Sequence, residues 1–109
     1  MSAKRVRRPA PEVTRGALPL VSAFVRGYLH QDWEADYEAP EEARDTFLED
    51  ASPEERRAFL RECEAFHTLT ASLDLADVSR VLQDSLGSAW QPASLAEVRR
   101  VLGPGRRRR

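Results

Sequence analysis

A chain of 109 residues with 41% hydrophobic and 32% charged side chains has room for one small domain with an ordinary core. Its single cysteine excludes an intrachain disulfide framework, and no apolar run approaches the roughly 20 residues that a membrane-spanning helix needs. The net charge of −1 conceals a segregation: Asp32 to Asp50 holds nine acids against one base, Arg44, a local net of −8, while Lys4, Arg5, Arg7, Arg8 and Arg106 to Arg109 make both ends basic.

Residues 1–16 carry two prolines and five basic side chains with few large apolar groups, and they read as a disordered basic arm. The basic region in "MSAKRVRRPAPEV" has no apolar segment after it, so it does not read as a secretory signal, and a reducing cytoplasmic setting is expected. Pro19 suits the first turn of a helix whose apolar stripe is Leu18, Val21, Phe24, Val25, Tyr28 and Leu29. His30 to Ala39 has no helical stripe and is expected to be a loop leaning on its aromatics. "APEEARDTFLED" opens another helix at Pro40, with Ala43, Phe47 and Leu48 inward and acids near its positive end. "SPEERRAFLRECEAFHTLTASL" has Ser52 as N-cap, Pro53 in the first turn and Glu55 completing a capping box. Its buried face is Phe59, Leu60, Cys63, Phe66, Leu69, Thr70 and Leu73.

Asp74 caps a further helix with Leu75, Val78, Val81, Leu82 and Leu86 inward, ended by Gly87. "SAWQPA" reads as a short connection. "SLAEVRRVLG" pairs Ser94 with Glu97 as a second capping box and turns Leu95, Val98, Val101 and Leu102 inward. No segment alternates with period two. The expectation is an all-α fold, one compact array of about five helices over residues 17–103, followed by a basic tail at 104–109.

Little in this pattern suits chemistry. Cys63 and His67 stand four apart on one helix and His30 could join them around a metal, yet Cys63 lies in the apolar stripe and no second Cys/His pair exists. The same residues lack the setting of a catalytic thiolate. Asp32 and Asp36 could pair for acid–base work, but they lie in an open, highly charged segment. The five glycines are scattered, so no phosphate-cradling loop is present. No catalytic residue, metal or cofactor is expected. The arginine-rich ends leave a nucleic-acid-associated accessory domain as an alternative, although the acidic body opposes phosphate and no specific nucleic-acid site is expected. The remaining reading is a protein-binding surface: acids attract a basic partner, and Trp33 and Tyr37 among them supply aromatic anchors.

"FVRGYLHQDWEADYEAPEEARDTFLEDASPEERRAFLREC" resembles the signature of the small α-helical immunity proteins of contact-dependent growth inhibition, the CdiI immunity family. The resemblance rests on Phe24, then Tyr28-Leu29-His30-Gln31-Asp32-Trp33, then the acidic and aromatic Asp36-Tyr37 and the helices opened by Glu-rich turns. Leu86-Gly87, Trp90, Pro92 and Val98-Arg99-Arg100 are similar to the family's closing segment. The resemblance implies a cytoplasmic inhibitor that occludes the active site or substrate groove of a cognate toxin domain, such as a basic nuclease, and performs no chemistry itself. The first expected contacts are Asp32, Trp33, Glu34, Asp36, Tyr37 and Glu38, with Glu41, Glu42 and Asp45 steering. Tyr28, His30, Gln31, Asp32 and Trp33 also form the family's structural signature, with His30 and Asp32 expected to hold the loop against the helices.

Overall fold

Six helices, and no strand among the described residues, make up the computed structural model, which describes residues 14–103. The basic segments 1–13 and 104–109 lie outside these. Residues 14–17 form a turn that leads into the first helix, with Leu18 N–H donating to the Thr14 carbonyl at 2.9 Å.

Helix α1 spans Pro19–Tyr28, and its inward stripe is that of the sequence: Val21, Phe24 and Val25 are fully buried, with Leu18 and Leu29 closing its ends. No side chain of its own caps it. The carboxylate of Glu62, far along the chain, instead accepts from Leu20 N–H and Val21 N–H at 2.8 and 2.9 Å, satisfying two donors that a helix start leaves unpaired. Burial pushes the Glu62 carboxyl above its ordinary range despite these two bonds.

The expected loop at 30–39 contains a single helical turn, α2, over Trp33–Asp36, because Trp33 and Tyr37 both turn toward the core and the backbone between them closes up. Helix α3 spans Pro40–Asp50 and α4 spans Pro53–Leu69, each with proline in its first turn. Ser52 and Glu55 form the full capping box, with bonds of 2.9 and 3.1 Å. Phe59, Cys63 and Phe66 line α4's buried face, and Leu60, Leu69 and Leu73 are half-buried against it. Helices α3 and α4 each pack against both α1 and the last helix, α6 (Leu95–Leu102), so these four enclose the core.

Asp74 caps α5 (Leu75–Arg80) by accepting from Asp77 N–H. The helix then widens into a π turn at Val81–Ser85, where Leu86 N–H reaches the Val81 carbonyl. Ser88 N–H bonds the Leu82 carbonyl at 2.8 Å, a Schellman-like closure lengthened by the π turn. Gly87 makes this possible. Its φ is +82°, and a Cβ there would stand 2.7 Å from Arg26 Cδ. Ala89 N–H then bonds the Leu29 carbonyl at 3.0 Å and Ser22 Oγ donates to the Leu86 carbonyl at 3.2 Å, fastening the turn to α1.

Two positions depart from the expected core. "SAWQPA" is more than a connection: Trp90 is 1% exposed and is the largest fully buried side chain, with Pro92 buried beside it in sequence. Leu95, expected inward, is 37% exposed. It stands in the first turn of α6, while Val98, Val101 and Leu102 carry the buried stripe. Ser94 accepts from Glu97 N–H, but Glu97 reaches back to Ala93 N–H in place of Ser94 N–H, so the box is displaced by one residue.

Removing the Trp90 ring should lower stability by about 3–5 kcal/mol, as large core truncations do. Leu95→Ala should shift it by less than about 0.5 kcal/mol, in line with an exposed site. Urea unfolding of Trp90→Ala and Leu95→Ala compares the two. Gly87→Ala should cost more than about 1 kcal/mol in the same assay, since both the backbone angle and the Arg26 stem oppose a Cβ.

Candidate functional site

The acidic and aromatic residues form one continuous rim built from the end of α1, the single turn α2 and the outer face of α3. A cluster of rings supports it from below. Phe24, Phe47 and Phe59 lie within 4.9–5.6 Å of one another by ring centroid. Tyr28 meets Phe47 edge-on at 5.4 Å and stacks on Tyr37 at 6.5 Å, carrying the cluster out to the surface. Trp33 and Tyr37 are both half-buried and packed against the core, with part of each ring open to solvent.

The two phenols stand among carboxylates. Tyr28 Oη donates to Asp50 Oδ2 at 3.0 Å, and burial together with that carboxylate raises its pKa. Burial and the charges of Asp36, Asp50 and Glu42 raise that of Tyr37. Both hydroxyls therefore stay protonated and remain donors at neutral pH.

His30 braces α2. Its Nδ1 accepts from Asp32 N–H at 3.0 Å, which leaves the neutral ring's proton on Nε2, and Nε2 faces Asp36 Oδ2 at 3.5 Å. The ring thus spans the turn from its entry to its last residue. The latch between His30 and Asp32 runs through the Asp32 backbone, so the Asp32 carboxylate stays on the surface. Gln31, Asp32, Glu34, Asp36 and Glu38 are exposed.

On α3 the acids divide into three duties. Glu42 Oε1 accepts from Glu38 N–H at 2.8 Å and so shapes the approach to the helix. Asp45 and Glu49 are exposed. Glu41 is half-buried and binds Arg100 Nε of α6 at 2.8 Å; the guanidinium holds the Glu41 carboxyl below its ordinary range. Glu41 is thereby committed to holding two helices together, while the other acids present outward.

Arg44, the one base of the acidic stretch, is 8% exposed. Its Nη1 donates to the Arg100 carbonyl at 2.7 Å and its Nη2 to the Gly103 carbonyl at 3.4 Å. Its lone positive sign among nine acids was the available signal for this role, but only the fold shows the carbonyls it meets. Asp50, by contrast, was set apart by no motif. Its part follows from Tyr28, 22 residues earlier at the end of α1.

The groups weighed for chemistry sit apart. Cys63 is fully buried, and burial pushes its thiol up to about 12, far from a reactive thiolate. His67, one turn on, is exposed, and His30 is occupied with α2. Among the described residues, no three His, Cys, Asp or Glu side chains converge in a metal-holding group, and no helix is long and apolar enough to cross a membrane. Asp32 and Asp36 are both exposed, and Asp36 faces the His30 ring. The arrangement suits recognition by charge and aromatic contact.

The Glu41–Arg100 bridge gives the protein an acid-sensitive seam. A carboxyl held below its unfolded value of 4.5 adds stability above that pH and loses it as pH falls through the lowered folded value. Half-exposure limits the gain to about 0.5 kcal/mol. Glu41→Gln should remove that share at pH 7 and flatten the stability curve below pH 4.5, as chemical denaturation at successive pH values would record.

The family model of the CdiI immunity protein matches residues 17–101, which takes in the rim, all six helices save the last residue of α6, and the Leu86–Trp90 turn. No curated protein and no solved structure matches the chain. A match over well over half of the 109 residues places the fold and its rim in one lineage: the chain belongs to the CdiI immunity protein family.

Proposed function

We propose that the protein neutralises a toxin domain of contact-dependent growth inhibition by binding it through the acidic and aromatic rim and covering its active site or substrate groove. Family membership supports the toxin as partner. The observation that carries the choice of surface is the exposed row Asp32, Glu34, Asp36, Glu38 and Asp45 around the half-buried Trp33 and Tyr37. A toxin that handles a polyanion, such as a nuclease, is basic where it grips its substrate, and a folded acidic surface meets the same groove by the same charges. Inhibition is then steric and requires no turnover, metal or cofactor in this chain. The partner is met in the cytoplasm, where a toxin that has entered the cell would act.

The residues take different parts. Glu34, Glu38 and Asp45 steer, because they are exposed and a screened charge acts over about 8–10 Å at physiological salt. Trp33 and Tyr37 anchor, since partly desolvated rings held by a core lose little freedom on binding. Tyr28, His30 and Gln31 belong to the scaffold side of the rim, where the first two hold Asp50 and α2 in place.

Producing the protein together with the toxin domain encoded beside it should rescue growth, and the two should copurify at low salt. Glu34→Lys with Glu38→Lys and Asp45→Lys should slow association at least about tenfold at low ionic strength while circular dichroism stays unchanged. Unchanged on-rates would remove this face from consideration. Trp33→Ala should act chiefly on dissociation, costing about 2 kcal/mol of affinity in surface plasmon resonance.

A further inference from the structure

The single turn α2 has no side-chain cap at Asp32, the residue that precedes it. The His30 ring holds its entry instead. His30 Nδ1 accepts from Asp32 N–H at 3.0 Å, two residues on, as an Asn or Asp side chain does when it bonds its own backbone in a turn. That bond is open to the neutral ring alone, because an imidazolium carries N–H on both nitrogens and accepts at neither. Histidine is also the side chain whose ordinary charge change falls between about pH 5 and 8. The His30 side chain is 40% exposed, so solvent protons reach it.

The geometry fixes which nitrogen takes the proton. With Nδ1 accepting, Nε2 carries the ring hydrogen and faces Asp36 Oδ2 at 3.5 Å. A proton added at Nδ1 sets N–H against N–H across the 3.0 Å contact, while the positive ring is drawn more strongly to Asp36. One event thus breaks the bond at the entry of α2 and tightens the contact at its last residue. Among the described residues Asp36 is the charged group within ion-pair distance of the ring. Asp32 and Glu34 are exposed on the same turn. On α1, Arg26 is engaged by Ser22 Oγ at 3.2 Å, and Tyr28 is engaged by Asp50. Ala89, which docks on the Leu29 carbonyl, brings no charge.

We propose that His30 is a proton-operated latch on α2: the neutral ring holds the Asp32 amide, and the protonated ring releases it while staying with Asp36. The other bonds of the turn do not use the ring. Trp33 N–H donates to the His30 carbonyl and Tyr37 N–H to the Trp33 carbonyl, both at 2.9 Å, so α2 shifts at its entry and does not unfold. The Asp32–Trp33 end of the rim is therefore set at neutral pH and loosened in mild acid. The latch stands on the His30 contacts; only its effect on a toxin rests on the function proposed above.

The test needs no toxin, so its failure leaves that function standing. The full chain, labelled with nitrogen-15, is titrated by NMR from about pH 8 to about pH 5, above the range of ordinary carboxylates. At the upper end His30 Nδ1 should resonate as a bare nitrogen and Nε2 as a protonated one. A coupling across the hydrogen bond should join Nδ1 to the Asp32 amide nitrogen. As His30 titrates, that coupling should be lost, and the Asp32 amide and Trp33 indole signals should move with the same midpoint while the Trp90 indole stays still. His67, exposed on α4, is the internal control, and its titration should move none of them. His30→Asn keeps an acceptor for Asp32 N–H that takes up no proton, and should hold both signals at their high-pH positions throughout. Asp36→Asn should still lose the coupling on titration, because the loss arises at Nδ1. A ring hydrogen on Nδ1 at the upper end, a coupling that survives protonation, or equal Trp33 movement in the His30→Asn chain would overturn the latch.

Discussion

The arrangement of the acidic face depends on one buried cation. Arg44 sits in the stretch with the highest negative charge of the chain, yet its guanidinium turns away from those acids and into the joint between α3 and α6. There it meets the carbonyls that a helix leaves unpaired at its C-terminus, where a positive charge is also favoured by the helix dipole. Its carbon centre lies 5.9 Å from the centroid of Phe59, so the aromatic floor of the rim and the end of α6 share the same side chain. Taking a guanidinium out of water is tolerable only with such partners. Once Arg44 is fixed inward, the helical period leaves Glu42, Asp45 and Glu49 no option but the outward side.

The periodic parts of the fold were legible in the sequence. Stripes at three- and four-residue spacing found the inward faces of α1, α4 and α6, and the Ser52–Glu55 pair marked the start of α4 because a capping box is a local hydrogen-bond pattern needing no distant partner. What escaped was set by contacts between elements. Glu62 reads as an exposed helix residue until α1's start is placed against it. Trp90 stands in a segment with no period and a proline, so nothing local announces that it fills the core. Leu95 has the right spacing for a buried position but lies in the first turn of α6 and is 37% exposed, whereas Val98 and Val101 further along are buried. The single turn α2 was hidden because four residues cannot show a helical period; burial of Trp33 and Tyr37 on either side closes it.

The rim was partly legible for a similar reason. A run of acids is visible as composition, but how those acids are employed is not. Glu41 and Glu42 are neighbours with the same charge, and one fastens α6 while the other receives Glu38 N–H. Their duties differ because adjacent helical positions point about 100° apart, toward α6 in one case and toward the entry of α3 in the other. The "YLHQDW" stretch divides in the same way. Tyr28 and His30 work inward or along the turn, whereas Asp32 contributes a backbone N–H to the fold and leaves its carboxylate on the surface.

A surface with this charge density must be held open against its own repulsion. Several acids concentrated in two short helices favour spreading, and screening by salt relieves only part of that at separations under a Debye length of about 10 Å. The fold answers with three local attractions: the positive start of α3 beneath Glu41 and Glu42, the Arg100 guanidinium on Glu41, and the protonated phenol of Tyr28 on Asp50. Each stabilises a carboxylate of α3, and Asp45 and Glu49 have no cation within ion-pair distance among the described residues. Of these acids Glu41 alone is half-buried, while Glu42 and Asp50 are as exposed as Asp45 and Glu49. A basic surface that bound here would relieve the remaining repulsion as well as form contacts. Part of its attraction would thus come from relief of that repulsion, and long-range charge attraction of this kind gives a fast, salt-sensitive association.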